Sequence, residues 1–293
     1  MDWFWIAFIS AVLSAAAAIM QKKVLMSIDP LNFSFLISAL TAIFSLPFVY
    51  TINFATLSNL SLAVLFGKSV LNALAFLCIM TALKHLEISR ALPVMAISPM
   101  VIAILAFVFL GESLKPLEVA GIILISIGTY SLELKKGEGA LHPFKVLSGS
   151  KYHRLLLTAL ALISISSVID KALLSNFKLP PMTFLVFQNF FFLIIFFVIT
   201  IVYRRGKISG GSFSLEKKLV ILLIAIALVT VLYRWAQFEA TKIAPVGLVI
   251  SVKRISVLIA SIAGARLFKE GDYTRRAVAA LLIVGGAMMI FRD

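Results

Sequence analysis

Two stretches, FLGESLKPLEVAGIILISIGTY (109–130) and LFKEGDYTRRAVAALLIVGGAMM (267–289), decide how this chain folds. Each closes one apolar run, passes a short turn carrying a glutamate, and opens a second apolar run punctuated by glycine. Slid by 158 residues they fall into register: Glu112 meets Glu270 and Gly128 meets Gly286. The register extends backwards, with Lys84 meeting Lys242 and Ser98 meeting Ser256. The beginnings of the two halves agree as well. AAAIMQKKVLMS (16–27) lies beside SSVIDKALLSNF (166–177), which sets Gln21-Lys22 against Asp170-Lys171. The chain carries a duplicated unit.

Composition tells what medium that unit occupies. The 293 residues are 61% hydrophobic and only 14% charged, with a mean hydropathy of +1.08, far from the composition of a soluble domain. A bilayer-spanning helix needs about 20 apolar residues. Reading loops at charge clusters and Gly/Pro breaks gives ten such spans: 3–21, 31–50, 61–83, 90–110, 117–134, 154–175, 183–203, 219–241, 247–267 and 275–291. In lipid only helices or closed barrels satisfy every backbone group, and these runs are too long for barrel strands. The expected fold is therefore all-α: a polytopic membrane protein of ten transmembrane helices. Five spans per half is an odd number, so the second copy enters the membrane inverted, an arrangement typical of secondary transporters. The units are residues 1–134 and 154–293, joined by a basic connecting loop, 135–153. The N-terminal MDWFWIAFIS has no basic residue ahead of its apolar run, so it is expected to stay as the first span instead of being cleaved.

The net charge of +14 would suggest a nucleic-acid partner in a soluble chain. Here the charge lies mostly in loops, so no nucleic acid is expected. Loops on the face away from the termini hold 18 Lys/Arg and loops on the terminal face hold four, leaving five of the 27 inside spans. By the positive-inside rule both termini face outward, and the expected location is the cell's inner (plasma) membrane. The lone Cys78 excludes an intramolecular disulfide, and His85, His142 and His153 have no metal-ligand spacing. With no zinc, nucleotide-loop or nucleophile-elbow motif, the chain is expected to be neither an enzyme nor a cofactor or metal protein.

The five basic residues inside spans are Lys68, Lys171, Arg234, Lys253 and Arg254, accompanied by the acids Asp170 and Glu239. Each charge costs about 2.5–3.5 kcal/mol at mid-span. Lys68 lies eight residues from the end of its span and is expected to snorkel to the headgroups. Glu239 is expected at the interface. Asp170 and Lys171 suit an internal salt bridge or a substrate contact equally. On helix 8, Thr230, Arg234, Gln237 and Thr241 form one polar stripe, expected to bring Arg234 and Gln237 to a wet cavity. In VISVKRISVLIASIAG (249–264), Lys253 and Arg254 point about 100° apart, so no single tilt delivers both to a headgroup layer. Five bases against two acids leave a surplus of three, which calls for water and an anionic ligand. Arginine offers a fork suited to carboxylate or phosphate, lysine a point charge. Ser34, Ser38, Thr41 and Ser45 make a further stripe on helix 2, and Ser10, Ser14 and Gln21 one on helix 1. Either stripe alone reads as helix packing. The Phe-rich run 187–197 reads as lipid contact.

With the paired Glu-to-Gly segments in register across two five-span halves, the chain resembles the drug/metabolite transporter superfamily, in its EamA-type branch. The resemblance implies a secondary transporter of small metabolites. Within that superfamily VKRISVLIAS (252–261) is similar to the ninth helix of the triose-phosphate translocators, whose Lys-Arg pair binds phosphate. By that likeness Lys253 and Arg254 are anion ligands. The repeat places Met95 where those translocators carry another basic residue, so Arg234 or Lys171 would supply the third charge. The expected cargo is a small organic anion or zwitterion: an amino acid, a carboxylate or a phosphorylated metabolite. The expected substrate-binding residues are Lys253, Arg254, Arg234, Gln237, Lys171 and Asp170. The alternatives are a flippase for a lipid-linked phosphate and, further off, a multidrug cation exporter. The expected partners are the bilayer and the small-molecule substrate, and the sequence permits a homodimer.

Overall fold

The computed structural model describes residues 2–54, 57–85, 95–133, 151–204, 216–268 and 273–292. Among them the chain forms ten helical spans and no strand. The first half contains α1 (Trp3–Leu25), α2 (Pro30–Ser45, extended by a 3-10 turn, Leu46–Thr51), α3 (Asn59–His85), α4 (Ser98–Leu110) and α5 (Pro116–Glu133). The second contains α6 (Lys151–Lys171), α7 (Pro181–Arg204), α8 (Lys217–Ile243), the two pieces α9a (Val246–Lys253) and α9b (Ile255–Phe268), and α10 (Tyr273–Arg292). Helices α1, α2 with its extension, α3, α6, α7 and α8 are long and apolar enough to cross a membrane, while Met95–Leu110 and Pro116–Leu132 are apolar and shorter. Helix α6 begins at Lys151, inside the stretch that the sequence assigned to the connecting loop. The rest of that loop, and Glu270, lie outside the described residues.

Local chemistry sets the ends that matter for the site. Asp29 caps α2 by accepting from the Leu31 amide at 3.2 Å, with Pro30 in the first turn, where its missing N–H costs nothing. Gly111 ends α4 in the left-handed region at φ 68°, which a side chain resists. Its amide bonds Phe107 O at 3.1 Å, and the Glu112 amide bonds Ala106 O at 3.3 Å. That turn fixes where Glu112 stands.

Helix pairing shows the two-fold relation between the halves. Helix α1 packs on α8 and α9, and its counterpart α6 packs on α3 and α4. Exchanging the halves turns one set into the other. The pairs α2 with α7, α4 with α9 and α5 with α10 map onto themselves, and α2 with α8 exchanges with α3 with α7. The glycines report the same symmetry at atomic scale. A Cβ on Gly121 would lie 2.7 Å from Gly286 O, and one on Gly128 would lie 3.0 Å from Ala279 O. The 158-residue shift relates Gly121 to Ala279 and Gly128 to Gly286, so the two contacts are images of one another. Both need a bare Cα, the usual route to close helix approach in lipid.

One span departs from expectation. Sequence reading gives a continuous ninth helix, but the structure breaks it at Arg254, whose amide bonds Ser251 O at 2.9 Å in a tighter, 3-10-type turn. In the first half the counterpart, Met95–Ile97, is a 3-10 turn leading into α4. The irregularity belongs to both repeats.

Candidate substrate site

Lys253 and Arg254 sit at the break in α9, and neither projects into lipid. The Lys253 ammonium donates to Gln237 Oε1 on α8 and lies 5.0 Å from the Tyr233 ring centroid. The Arg254 guanidinium donates to Ser98 Oγ at the start of α4, reaching across to the other half. Both of these partners, an amide and a hydroxyl, are neutral and orient the side chains. Gln237, expected from its stripe to face a wet cavity, is instead engaged by Lys253.

Asp170 and Lys171 are adjacent but serve different neighbours, as the 100° step along α6 dictates. Asp170 forms an ion pair with Lys68 on α3 at 2.6 Å, where Lys68 is 1% exposed and Asp170 7%. The snorkelling expected of Lys68 is therefore corrected. Eight residues of helix were long enough to reach a headgroup, but a carboxylate in the bundle was nearer, and two aromatic faces, Phe184 at 4.8 Å and Phe238 at 5.8 Å, surround the ammonium. Asp170 is also within Coulomb range of Arg234 and Lys253, and Lys253 within that of Arg254. Among the described residues, three cations, Lys68, Arg234 and Lys253, lie within Coulomb range of the one Asp170 carboxylate, a formal excess of two positive charges.

Lys171 belongs to a different constellation. Its ammonium donates to Thr241 O at 2.9 Å and Ala244 O at 2.8 Å, the open carbonyls at the end of α8, and lies 3.4 Å from Glu112 Oε1. Glu112 Oε2 accepts from the Val246 amide at 3.0 Å, at the first turn of α9a. One carboxylate from the first half and one ammonium from the second thus tie the α4, α6, α8 and α9 ends together on the terminal face. Directly after Lys171, α6 widens into a π turn, Ala172–Asn176. No residue pattern around Ala172–Asn176 signals that turn.

Arg234 lines a narrow cleft of about 30 Å³ between α2, α7 and α8. Its guanidinium lies 5.4 Å from the Phe192 ring centroid, and among the described residues no carboxylate or hydrogen-bond acceptor engages it. The α2 stripe forms one wall through Ser34, Ser38 and Thr41. Asn189 lines the α7 side and donates to Ser45 Oγ at 2.7 Å. Phe192 and Phe196 face the cleft as well, so part of the Phe-rich run expected to meet lipid is interior. Ser10 on α1 donates to Tyr233 O at 2.7 Å and serves packing, as a lone stripe suggests. Gln21 and Ser34 mark the cleft's end near the α1–α2 turn, on the face opposite Glu112 and Lys171.

Two-fold-related halves, helices that cross a membrane and a broken span at a cationic centre define a multi-pass membrane transport protein. The EamA-like transporter family matches residues 1–133 and 151–292, and the chain belongs to it, within the drug/metabolite transporter superfamily. No curated protein matches the chain. A solved structure described as "Crystal structure of protein" is similar over 98% of this chain and 95% of that one, with a TM-score of 0.73 at 16% identity. That likeness speaks to the fold.

Proposed function

We propose that the protein is a secondary transporter, an exporter or exchanger, of a small organic anion or zwitterion, working by alternating access in the cell's inner (plasma) membrane. The observation that carries this reading is the central charge: Arg234 faces an aromatic ring and Lys253 is held by a neutral amide, while the nearby carboxylate is occupied by Lys68. A cationic excess inside a bilayer is relieved by an anion that enters and leaves with its own charge. Lys253 and Arg254 bind the anionic group, with Arg234 and Gln237 assisting. Asp170 holds the electrostatic balance, and Lys171 closes one face.

Access on one side at a time fits the geometry. The cleft extends toward the α1–α2 turn, and the Glu112–Lys171 ties sit at the opposite end. Releasing those ties while the halves rock would expose the same centre to the other side. With termini outward, as the loop charges favour, the cleft faces the cytoplasm. No covalent step is needed.

Purified protein in proteoliposomes provides the test. Lys253→Ala and Arg254→Ala should each abolish uptake of labelled organic anions while the variants keep the elution profile of the folded wild type. Wild-type uptake in both variants would remove the assignment. Movement of lipid-linked phosphates with no uptake of soluble solutes would establish the flippase alternative instead.

A further inference from the structure

The cleft beside Arg234 is too small for an organic cargo, yet it is lined by a cation and by polar groups with donors to spare. We propose that it binds a small inorganic anion of chloride's size, held by Arg234, Thr230 and Asn189. This site stands whether or not Lys253 and Arg254 carry an organic cargo.

Size comes first. The space between α2, α7 and α8 is about 30 Å³. One water needs about 10–15 Å³ of such space, so the cleft takes about two water-sized bodies and no ring or side chain. Chloride is little larger than water. One ion and one water fill it.

The charge and the donors agree. Arg234 is the sole charged side chain lining the cleft among the described residues, and the nearby Asp170 is 2.6 Å from Lys68 and so already engaged. Lys68 and Lys253 lie within Coulomb range of Arg234 and add to its pull on an anion. Thr230 stands one helical turn from Arg234 on the same face of α8. It is 7% exposed, and its hydroxyl in the cleft lining has no partner. An ion that accepts its proton removes the cost of that orphaned group. On α7, Asn189 spends one amide N–H on Ser45 Oγ at 2.7 Å and keeps a second. Two helices thus bring a guanidinium, a hydroxyl and an amide N–H to one small space.

The opposite wall sets where the ion lies. Ser34 donates to Pro30 O at 2.7 Å, Ser38 to Phe35 O at 2.8 Å and Thr41 to Ser38 O at 3.1 Å. Their protons are spent, so α2 offers lone pairs that repel a bare anion. The anion therefore sits on the α7–α8 side, with the water between it and α2 donating to both. Phe76, Phe192, Phe196 and Tyr233 complete the lining. Such walls suit a weakly hydrated monovalent ion; a sulfate or phosphate dianion is too large and exceeds the single lining charge.

Thermal unfolding of the purified full-length chain in detergent tests the site. Sodium chloride is titrated against sodium gluconate at constant ionic strength, with no organic substrate present. Chloride and bromide should raise the melting temperature saturably, by several degrees, and gluconate, too large for the cleft, should not. Arg234→Gln should weaken the chloride response about tenfold or more. Thr230→Val should weaken it severalfold without lowering the ion-free melting temperature, which separates a lost ligand from a lost fold. Crystals grown in bromide should show an anomalous peak between Arg234 and Thr230. Equal stabilisation by gluconate, an unaltered chloride response in Arg234→Gln, or water alone in the cleft at saturating bromide would overturn the proposal. So would a chloride response that Lys253→Gln abolishes and Arg234→Gln keeps, since the ion would then sit at the other cations.

Discussion

Lys171 and Arg234 are both half-buried cations on spanning helices, yet the chain treats them in opposite ways. Around Lys171 the charge is matched. Glu112 supplies a carboxylate at 3.4 Å, two helix-end carbonyls accept the remaining protons, and the other Glu112 oxygen caps α9a. Around Arg234 the surroundings are an aromatic face and a cleft, and the nearest cations are secured by an amide and a hydroxyl. Charge that is matched holds the fold together. Charge that is oriented but unmatched is arranged for something that comes and goes. The Lys68–Asp170 pair sits between these cases, internally matched yet within reach of the central excess.

This contrast can be broken by experiment, starting where the effect is largest. Asp170→Leu leaves Lys68 buried and unanswered, so it should destabilise the protein by about 3–5 kcal/mol. The double variant Lys68→Met/Asp170→Leu should regain most of that loss, as read from thermal unfolding in detergent. If the single variant is as stable as wild type, Lys68 has an alternative exit and the pair is not structural. Next comes the terminal-face tie. Glu112→Gln keeps one hydrogen bond but loses the charge facing Lys171, and should cost about 1–3 kcal/mol. It should also raise the labelling rate, by a water-soluble maleimide, of a cysteine introduced at Thr241 in a Cys78→Ala background. An unchanged labelling rate would show that those ties do not hold the face closed.

Much of the architecture was legible in the sequence because lipid imposes simple rules. Length, apolarity and the 158-residue register were enough for ten spans and an inverted duplication. Glycine identity alone did not reveal that Gly121 and Gly128 make symmetry-related contacts, since contact is a property of two helices at once. The site was legible in part. The stripe on α8 brought Arg234 to the cleft and Gln237 to Lys253, because helical periodicity alone decides which residues share a face. The partners were not legible. Whether Lys68 reaches headgroups or Asp170 depends on how α3 meets α6, and no local pattern encodes that meeting. The break in α9 was hidden for a related reason: Ser251–Ile255 contains no proline or glycine, and an arginine held across the interface by Ser98 marks the interruption. Glu112 was visible as a repeat marker, but its role toward Lys171 and Val246 required the turn at Gly111.

Thermal shift of the purified wild type against Lys253→Gln/Arg254→Gln, each with and without a panel of organic anions, addresses the central claim most directly. The neutralised variant should be at least as stable as wild type when empty, because it no longer confines a cationic excess, and no anion should raise its melting temperature. Wild type should be stabilised by several degrees by its cargo. An empty variant that melts well below wild type, or one that an anion stabilises equally, would show that those two charges are structural and that the centre is not an anion site.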